Sequence, residues 1–183
     1  MSWGLPASVE VRGEMYAVRS DFRVILDILA AASDPELDGQ EKALVTLSAF
    51  YPDFGGMPEE FYEDALRACF RFINCDAGET PRSAPRLVDW EQDYSLITAP
   101  VNRVLGFEAR GADYLHWWTY LAAYYEIGDC TFAQVVRIRD YLARGKSLDK
   151  QDREWYGKHR ELVDFRRKYT SAEEEFLREW AGS

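Results

Sequence analysis

The chain has 183 residues, a net charge of −10, a hydrophobic content of 47% and an aromatic content of 15%. So acidic a chain disfavours general binding to nucleic acid or to an anionic membrane surface, since both depend on Lys and Arg. No apolar run approaches the roughly 18 residues of a membrane helix, and the N-terminus lacks a secretory signal pattern, so we expect a cytoplasmic protein with reduced cysteines.

A β-hairpin is predicted over residues 8–19, because apolar residues alternate on both sides of Arg12 and Gly13. Helical periodicity follows. Ser20 or Asp21 can cap a first helix, and Asp38 with Glu41 forms a capping-box pattern for a second. A third helix is expected to start near Pro58, since a proline is tolerated in the first helical turn.

The segment 75–87 is rich in Pro and Gly and predicts a mobile loop. Asp89 can cap the helix that follows, in which Pro100 predicts a kink or a break. Asp113 is the expected cap of the next helix, which carries the stretch "LHWWTYLAAYYEIGD".

The aromatic stretch presents apolar residues over an arc too broad for an ordinary surface helix. It is therefore either central to the core or an interface. We expect His116 and one tryptophan to be fixed inside, and the tyrosine side to lie nearer a groove. The candidate core-anchor or partner-binding residues are His116, Trp117, Trp118, Tyr120, Tyr124 and, further along the chain, Trp155.

Two further helices complete the prediction. Thr131 and Gln134 form another capping-box pattern. A charged helix over residues 150–180 carries a narrow apolar seam that could dock on its own domain or on a partner. Taken together, these patterns predict a mainly α fold: a single domain over residues 1–183 with about six to seven helices and the N-terminal hairpin.

Catalytic or metal-binding groups are few. A carboxylate-rich metal site can be drawn from Asp89, Glu91, Asp93, Asp113 and His116, but an acidic helix start favoured by the helix dipole explains the carboxylates better. A pairing of Cys130 with His116 has no activating group nearby. The basic run 137–146 is typical of a solvated, salt-bridged face. We therefore predict neither catalysis nor a bound metal or cofactor.

Several segments in this order resemble the gp-fifteen family of bacteriophages and prophages of Gram-positive bacteria. They are "LPASVEVRGEMYAVRSDFRVIL", "WEQDYSLITAPVNRVLG" and "DYLHWWTYLAAYYEIGDCTFAQVVRIRDYLARGKSLDKQDREWY". The "LHWW" block, the "IR" pair and the "GKSLDK" segment carry most of the resemblance, which runs from about residue 5 to residue 156.

This resemblance implies a tail assembly chaperone in the host cytoplasm. Such a protein would bind the tape measure protein, help recruit tail tube protein, form homo-oligomers and be absent from the mature virion. The family implies no catalytic residues. Two alternatives remain: a structural tail component such as a connector, and a metal-dependent hydrolase built on the acidic residues above.

Overall fold

The structure is a computed structural model that describes residues 4–76 and 84–173, together with residues 175 and 178. Most of the predicted mobile loop, residues 77–83, lies outside the described residues. The predicted hairpin is present: β1 spans Ser8–Val11, β2 spans Glu14–Ala17, and the two strands pair antiparallel. Arg12 and Gly13 have φ angles of 51° and 87°, as a tight two-residue hairpin turn requires.

Helices make up the rest of the fold, and seven of them have nine or more residues among the described part of the chain. The mainly α prediction with one small hairpin is therefore confirmed. Their bounds are α1 Phe22–Ala32, α2 Gly39–Phe50, α3 Tyr62–Ile73, α4 Trp90–Leu105, α5 Trp117–Tyr125, α6 Thr131–Ala143, α7 Lys150–Lys158 and the short α8 Arg160–Val163.

Three predicted helix starts are confirmed. The carboxylates of Asp21, Asp38 and Asp89 accept hydrogen bonds from backbone N–H groups in the first turns of α1, α2 and α4. Glu41 completes the capping box by accepting from the N–H of Asp38 at 2.9 Å. These caps satisfy N–H groups that have no partner inside the helix.

Of the kink or break predicted at Pro100, the break does not occur, because helix α4 runs unbroken through this buried residue. The predicted capping box of Thr131 and Gln134 is wrong. Helix α6 is capped by the Cys130 Sγ atom, which accepts from the N–H of Ala133 at 3.4 Å. Thr131 is already inside the helix and so cannot form the predicted capping box.

The prediction of a single helix over residues 150–180 is also wrong. Helix α7 ends at Lys158, α8 ends at Val163, and residues 164–170 are not helical. Residues 171–173, 175 and 178 are helical again. The extended segment 164–170, which we call the strap, returns over the start of α4. There Gln92 donates to the carbonyl of Asp164 and accepts from the N–H of Arg166.

The main core lies where α1, α2, α3, α4 and α5 meet the hairpin. Its largest fully buried side chains are Trp117, Tyr51, Tyr120, Phe22, Phe50 and Phe132. Val11 carries the hairpin into this core, which supplies the partner that an isolated hairpin needs. A smaller buried cluster joins α6 to α8 and consists of Val135, Ile138, Leu148 and Val163.

Candidate functional site

The aromatic helix α5 begins at His116, so the prediction that Asp113 caps it is wrong. The His116 Nδ1 atom accepts from the N–H of Trp118 at 3.0 Å, and Nε2 lies 3.0 Å from the carbonyl oxygen of Pro6. Because a carbonyl only accepts, Nε2 carries the proton. Backbone bridging between Asp21 and His116 pulls residue 116 out of helical geometry and fixes the start of the helix. His116 is buried, at 4% exposed, and its bond to the carbonyl of Pro6 therefore ties the N-terminal segment to the core.

Both tryptophans anchor α5 on the end of α3. The indole N–H of Trp117 donates to the carbonyl of Ile73, and that of Trp118 donates to the carbonyl of Phe72, each at 2.8 Å. These carbonyls belong to the last turn of α3. That of Phe72 also accepts from the N–H of Cys75 at 3.0 Å, whereas the Trp117 indole is the partner of that of Ile73 among the described residues. Trp117 is fully buried and Trp118 is half-buried. The pair "WW" therefore ties α5 to the C-terminal end of α3, where Trp117 supplies the partner that the Ile73 carbonyl lacks within its helix.

The tyrosines of α5 divide between core and surface. Tyr120 stacks on Phe22 with ring centroids 4.6 Å apart and is 1% exposed, so the expectation that the tyrosine side lies near a groove is wrong for this residue. Tyr124 is half-buried, and burial raises its pKa to about 12. Tyr125 is 73% exposed. Only the last turn of α5 therefore brings tyrosines to the surface.

An aromatic surface, formed by Trp90, Tyr94, Tyr124 and Tyr125, continues from α5 onto α4. The rings of Trp90 and Tyr124 lie 4.9 Å apart, and those of Tyr124 and Tyr125 lie 5.5 Å apart. Beside it runs a groove of about 270 Å³ between α1 and α4. The groove is lined by Arg23, Leu26, Asp27, Ala30, Trp90, Glu91 and Tyr94.

The residues considered for a metal site have other partners. Asp89 caps α4, Asp93 pairs with Arg139, and Glu91 contacts Lys168. Asp113 is exposed, and both nitrogens of His116 are engaged as described above. Within the described residues, no group of three His, Cys, Asp or Glu side chains could hold a metal ion. The metal-site hypothesis therefore finds no support in the geometry.

Sequence reasoning missed a buried ion pair that contacts the smaller buried cluster through the carbonyl of Val163. Arg139 and Asp93 have side chains 4% and 1% exposed, and their atoms approach to 2.6 Å and 2.9 Å. Arg139 also donates to the carbonyls of Leu87, Leu162 and Val163. The prediction of a solvated face is therefore wrong for Arg139, the second residue of the "IR" pair, because this side chain is buried and joins α4, α6 and the end of α8.

Trp155, the last candidate residue, lies on α7 and is half-buried. Its ring stacks on His159 with centroids 4.3 Å apart, and it packs against the smaller buried cluster. It is far in the chain from the other candidates and does not contribute to the aromatic surface as defined above. Of the candidate residues, only Tyr124 therefore belongs to that surface.

Comparison with known proteins agrees with the sequence resemblance. No curated protein and no solved structure matches the chain. Among the described residues, none of the helices is long and apolar enough to cross a membrane. A protein-family comparison matches the description "Bacteriophage Gp15 protein" over residues 1–165, which is most of the chain. The chain therefore belongs to the bacteriophage Gp15 protein family.

Proposed function

We propose that this protein is a tail assembly chaperone that binds the tape measure protein and assists tail tube assembly without catalysis. Membership of the bacteriophage Gp15 family is the observation that carries the proposal. The resemblance described above associates that family with tail morphogenesis. The site geometry adds a surface that suits such a client, argued below.

The aromatic surface fits the apolar face of an amphipathic helix. The lining of its groove between α1 and α4 combines apolar side chains, those of Leu26, Ala30 and Trp90, with the charged side chains of Arg23, Asp27 and Glu91. Helix-in-groove recognition uses this combination, with apolar anchors spaced along one helical face. Tyr125 adds an exposed ring at one end, and tyrosine is frequent among residues that dominate binding energy.

Charge supports the same role. A chaperone that coats a long apolar polymer must itself remain soluble, and the net charge of −10 provides repulsion between coated particles. Many copies bound along one polymer can use weak individual contacts, since linked contacts reinforce one another. We therefore propose that the functional form is a multimer on the client, with light scattering of the purified complex as its measurement.

Co-expression with the tape measure protein from the same phage tests the proposal. The wild type should raise the soluble fraction of the tape measure protein and co-purify with it. Tyr125→Asp and Ala30→Glu, which alter the aromatic surface and its groove, should abolish both effects. Tyr141→Asp is the matched control, because Tyr141 is an exposed tyrosine on α6 outside this surface. A tape measure protein that stays insoluble with wild type would contradict the chaperone role.

Mass spectrometry of purified virions separates this role from that of a structural tail component. A chaperone should be absent from virions, whereas a connector subunit should be present in a fixed ratio to the other tail proteins. Detection in such a ratio would replace the chaperone proposal with the structural one.

A further inference from the structure

A long trough follows strand β1 on the side away from β2. Two depressions, of about 980 Å³ and about 240 Å³, share Glu10 and Arg71 in their walls. Among the described residues, their linings include β1 and its turn on one side and α3 on the other, and no residue of β2. Together they extend from Pro6 to Gly13. Only four of these residues, Ser8–Val11, form strand β1 and they cover roughly 13 Å, so this β1 trough can pair with about four residues of an extended peptide.

The backbone of β1 has hydrogen-bonding groups that face away from β2. The N–H of Val18 donates to the carbonyl of Ala7, which makes residues 7 and 18 a hydrogen-bonded pair. Because such pairs alternate along an antiparallel ladder, Ser8 and Glu10 occupy non-hydrogen-bonded positions opposite Ala17 and Met15. Their N–H and C=O groups therefore point to the outer edge of β1. Within the described residues, no hydrogen bond occupies these groups.

The α3 wall of the β1 trough offers one apolar and one cationic contact. Phe70 is 43% exposed, which leaves much of its ring open to a neighbour. The guanidinium groups of Arg12 and Arg67 are paired with carboxylates of α3. Arg71 forms no ion pair among the described residues, so it is open to an acidic group. Glu10 and Asp76 line the same depressions and are also without an ion pair there, so an acidic side chain of a ligand must lie against Arg71 and away from these two carboxylates. The α3 wall thus favours a segment with an acidic and an apolar side chain.

We propose that the β1 trough binds an extended segment of a protein partner, which adds to β1 as a further strand. Its backbone would bond Ser8 and Glu10, with an acidic side chain toward Arg71 and an apolar one on Phe70. An exposed strand edge beside a helix is the arrangement that strand addition uses, in which backbone bonds give affinity and side chains give specificity. A helical ligand cannot make these bonds, because its own N–H and C=O groups are paired internally.

This site is separate from the aromatic surface of α4 and α5. It does not rest on the chaperone role, and either proposal can fail without the other. An unpaired strand edge is a template for pairing with another chain, which is the property that the proposal uses.

A synthetic peptide tests the proposal directly. The peptide Thr-Val-Thr-Glu-Thr-Phe-Thr, acetylated and amidated, places valine, glutamate and phenylalanine on one face of a strand. Titration into the isotope-labelled protein, followed by nuclear magnetic resonance, should shift the amide signals of Ser8, Glu10 and Arg71. Hydrogen exchange at Ser8 and Glu10 should slow when the peptide is bound.

Three comparisons identify the mode of binding. A peptide methylated at alternate backbone nitrogens, so that it cannot pair with β1, should bind at least about tenfold more weakly. Glu10→Pro should have the same effect, because proline removes an N–H that faces the trough without breaking the ladder to β2. Ala17→Pro makes the same change on the outer edge of β2 and should leave binding unaltered. Arg71→Glu should weaken binding, whereas Lys158→Glu, on the remote helix α7, should not.

Several results would overturn the inference. Equal binding of the methylated peptide, binding to Ala17→Pro as weak as to Glu10→Pro, or no binding at concentrations of about 1 mM would each do so. A helical conformation of the bound peptide would do so as well. The methylated peptide is tested on the wild-type protein, so a failure of any variant to fold leaves the decision intact.

Discussion

Removing the carboxylate of Asp93 should destabilise the protein more than any surface substitution. Asp93→Ala would leave the Arg139 guanidinium buried without a counter-charge, although its bonds to the carbonyls of Leu87, Leu162 and Val163 would persist. Breaking one side of a buried ion pair costs about 3–5 kcal/mol. That is a large part of the stability of a typical domain, which is about 5–15 kcal/mol.

The double variant Asp93→Ala/Arg139→Met separates the charge from the hydrogen bonds. It buries no lone charge, but three carbonyl groups lose their donor and the N–H of Asp89 loses its bond to the Asp93 carboxylate, at about 1 kcal/mol each. The expected loss is therefore about 4 kcal/mol, below the sum of the two single losses, which is at least about 6 kcal/mol. Such strong non-additivity is the expected signature of a buried pair.

Urea unfolding monitored by circular dichroism measures these differences, with sucrose added equally to all samples so that the weak variants begin folded. Arg144→Ala is the matched control, because Arg144 pairs with Asp140 in an exposed i,i+4 geometry and should lose no more than about 0.5 kcal/mol. A loss below about 1 kcal/mol for Asp93→Ala, or additivity in the double variant, would refute the reasoning.

Three further outcomes are expected. Burial alone raises the pKa of Asp21, but hydrogen bonds from Arg23 and from backbone N–H groups outweigh it and lower the pKa. The Asp21 carboxylate therefore stabilises the fold at pH values above its unfolded-state pKa of about 4, and this contribution is lost as the pH falls through the lower folded-state pKa. Below pH 4, the urea midpoint of Asp21→Asn should therefore depend less on pH than that of the wild type. The Tyr120 hydroxyl has no hydrogen-bond partner among the described residues, so Tyr120→Phe should be as stable as the wild type or more stable. Tyr51→Phe, which removes the hydrogen bond to the carbonyl of Ala65, should lose about 1 kcal/mol of stability; thermal unfolding measures both. His116→Asn, which retains a capping group, should retain more stability than His116→Ala by about 1 kcal/mol in urea unfolding, and equal losses would contradict the capping role.

Sequence patterns predicted the features that depend on near neighbours. The capping box of Asp38 and Glu41 needs only residues three apart, and the hairpin turn needs only positive φ angles at the adjacent residues Arg12 and Gly13. The start of α5 is different. Asp113 has a suitable side chain, but bridging between Asp21 and His116, 95 positions apart in the chain, decides where the helix begins. Such a contact leaves no local signal.

The charged part of the chain shows the same limit. Arg139 lies in a basic run that is typical of a solvated face, yet its partner Asp93 is 46 positions away. Leu162 falls in an apolar seam that predicts one long helix, but its carbonyl bonds to Arg139 near the end of α8. The sequence did contain one signal: Arg139 directly follows Ile138, an apolar residue on the face of α6 that is buried in the structure. An arginine beside a core residue can be buried if a carboxylate reaches it.

Arg139 also connects the interior of the fold to residues 162–165. Its guanidinium lies 4.1 Å from the ring centre of Phe165, and the family match ends at residue 165. A nascent chain that has not yet released residues 162–165 lacks two of the carbonyls and the ring that surround this buried charge. Enclosure of the Arg139 charge therefore requires α8 and Phe165. A fusion or tag placed after the strap would keep the contacts of Arg139 with residues 162–165, whereas an insertion between α7 and α8 would separate Arg139 from them.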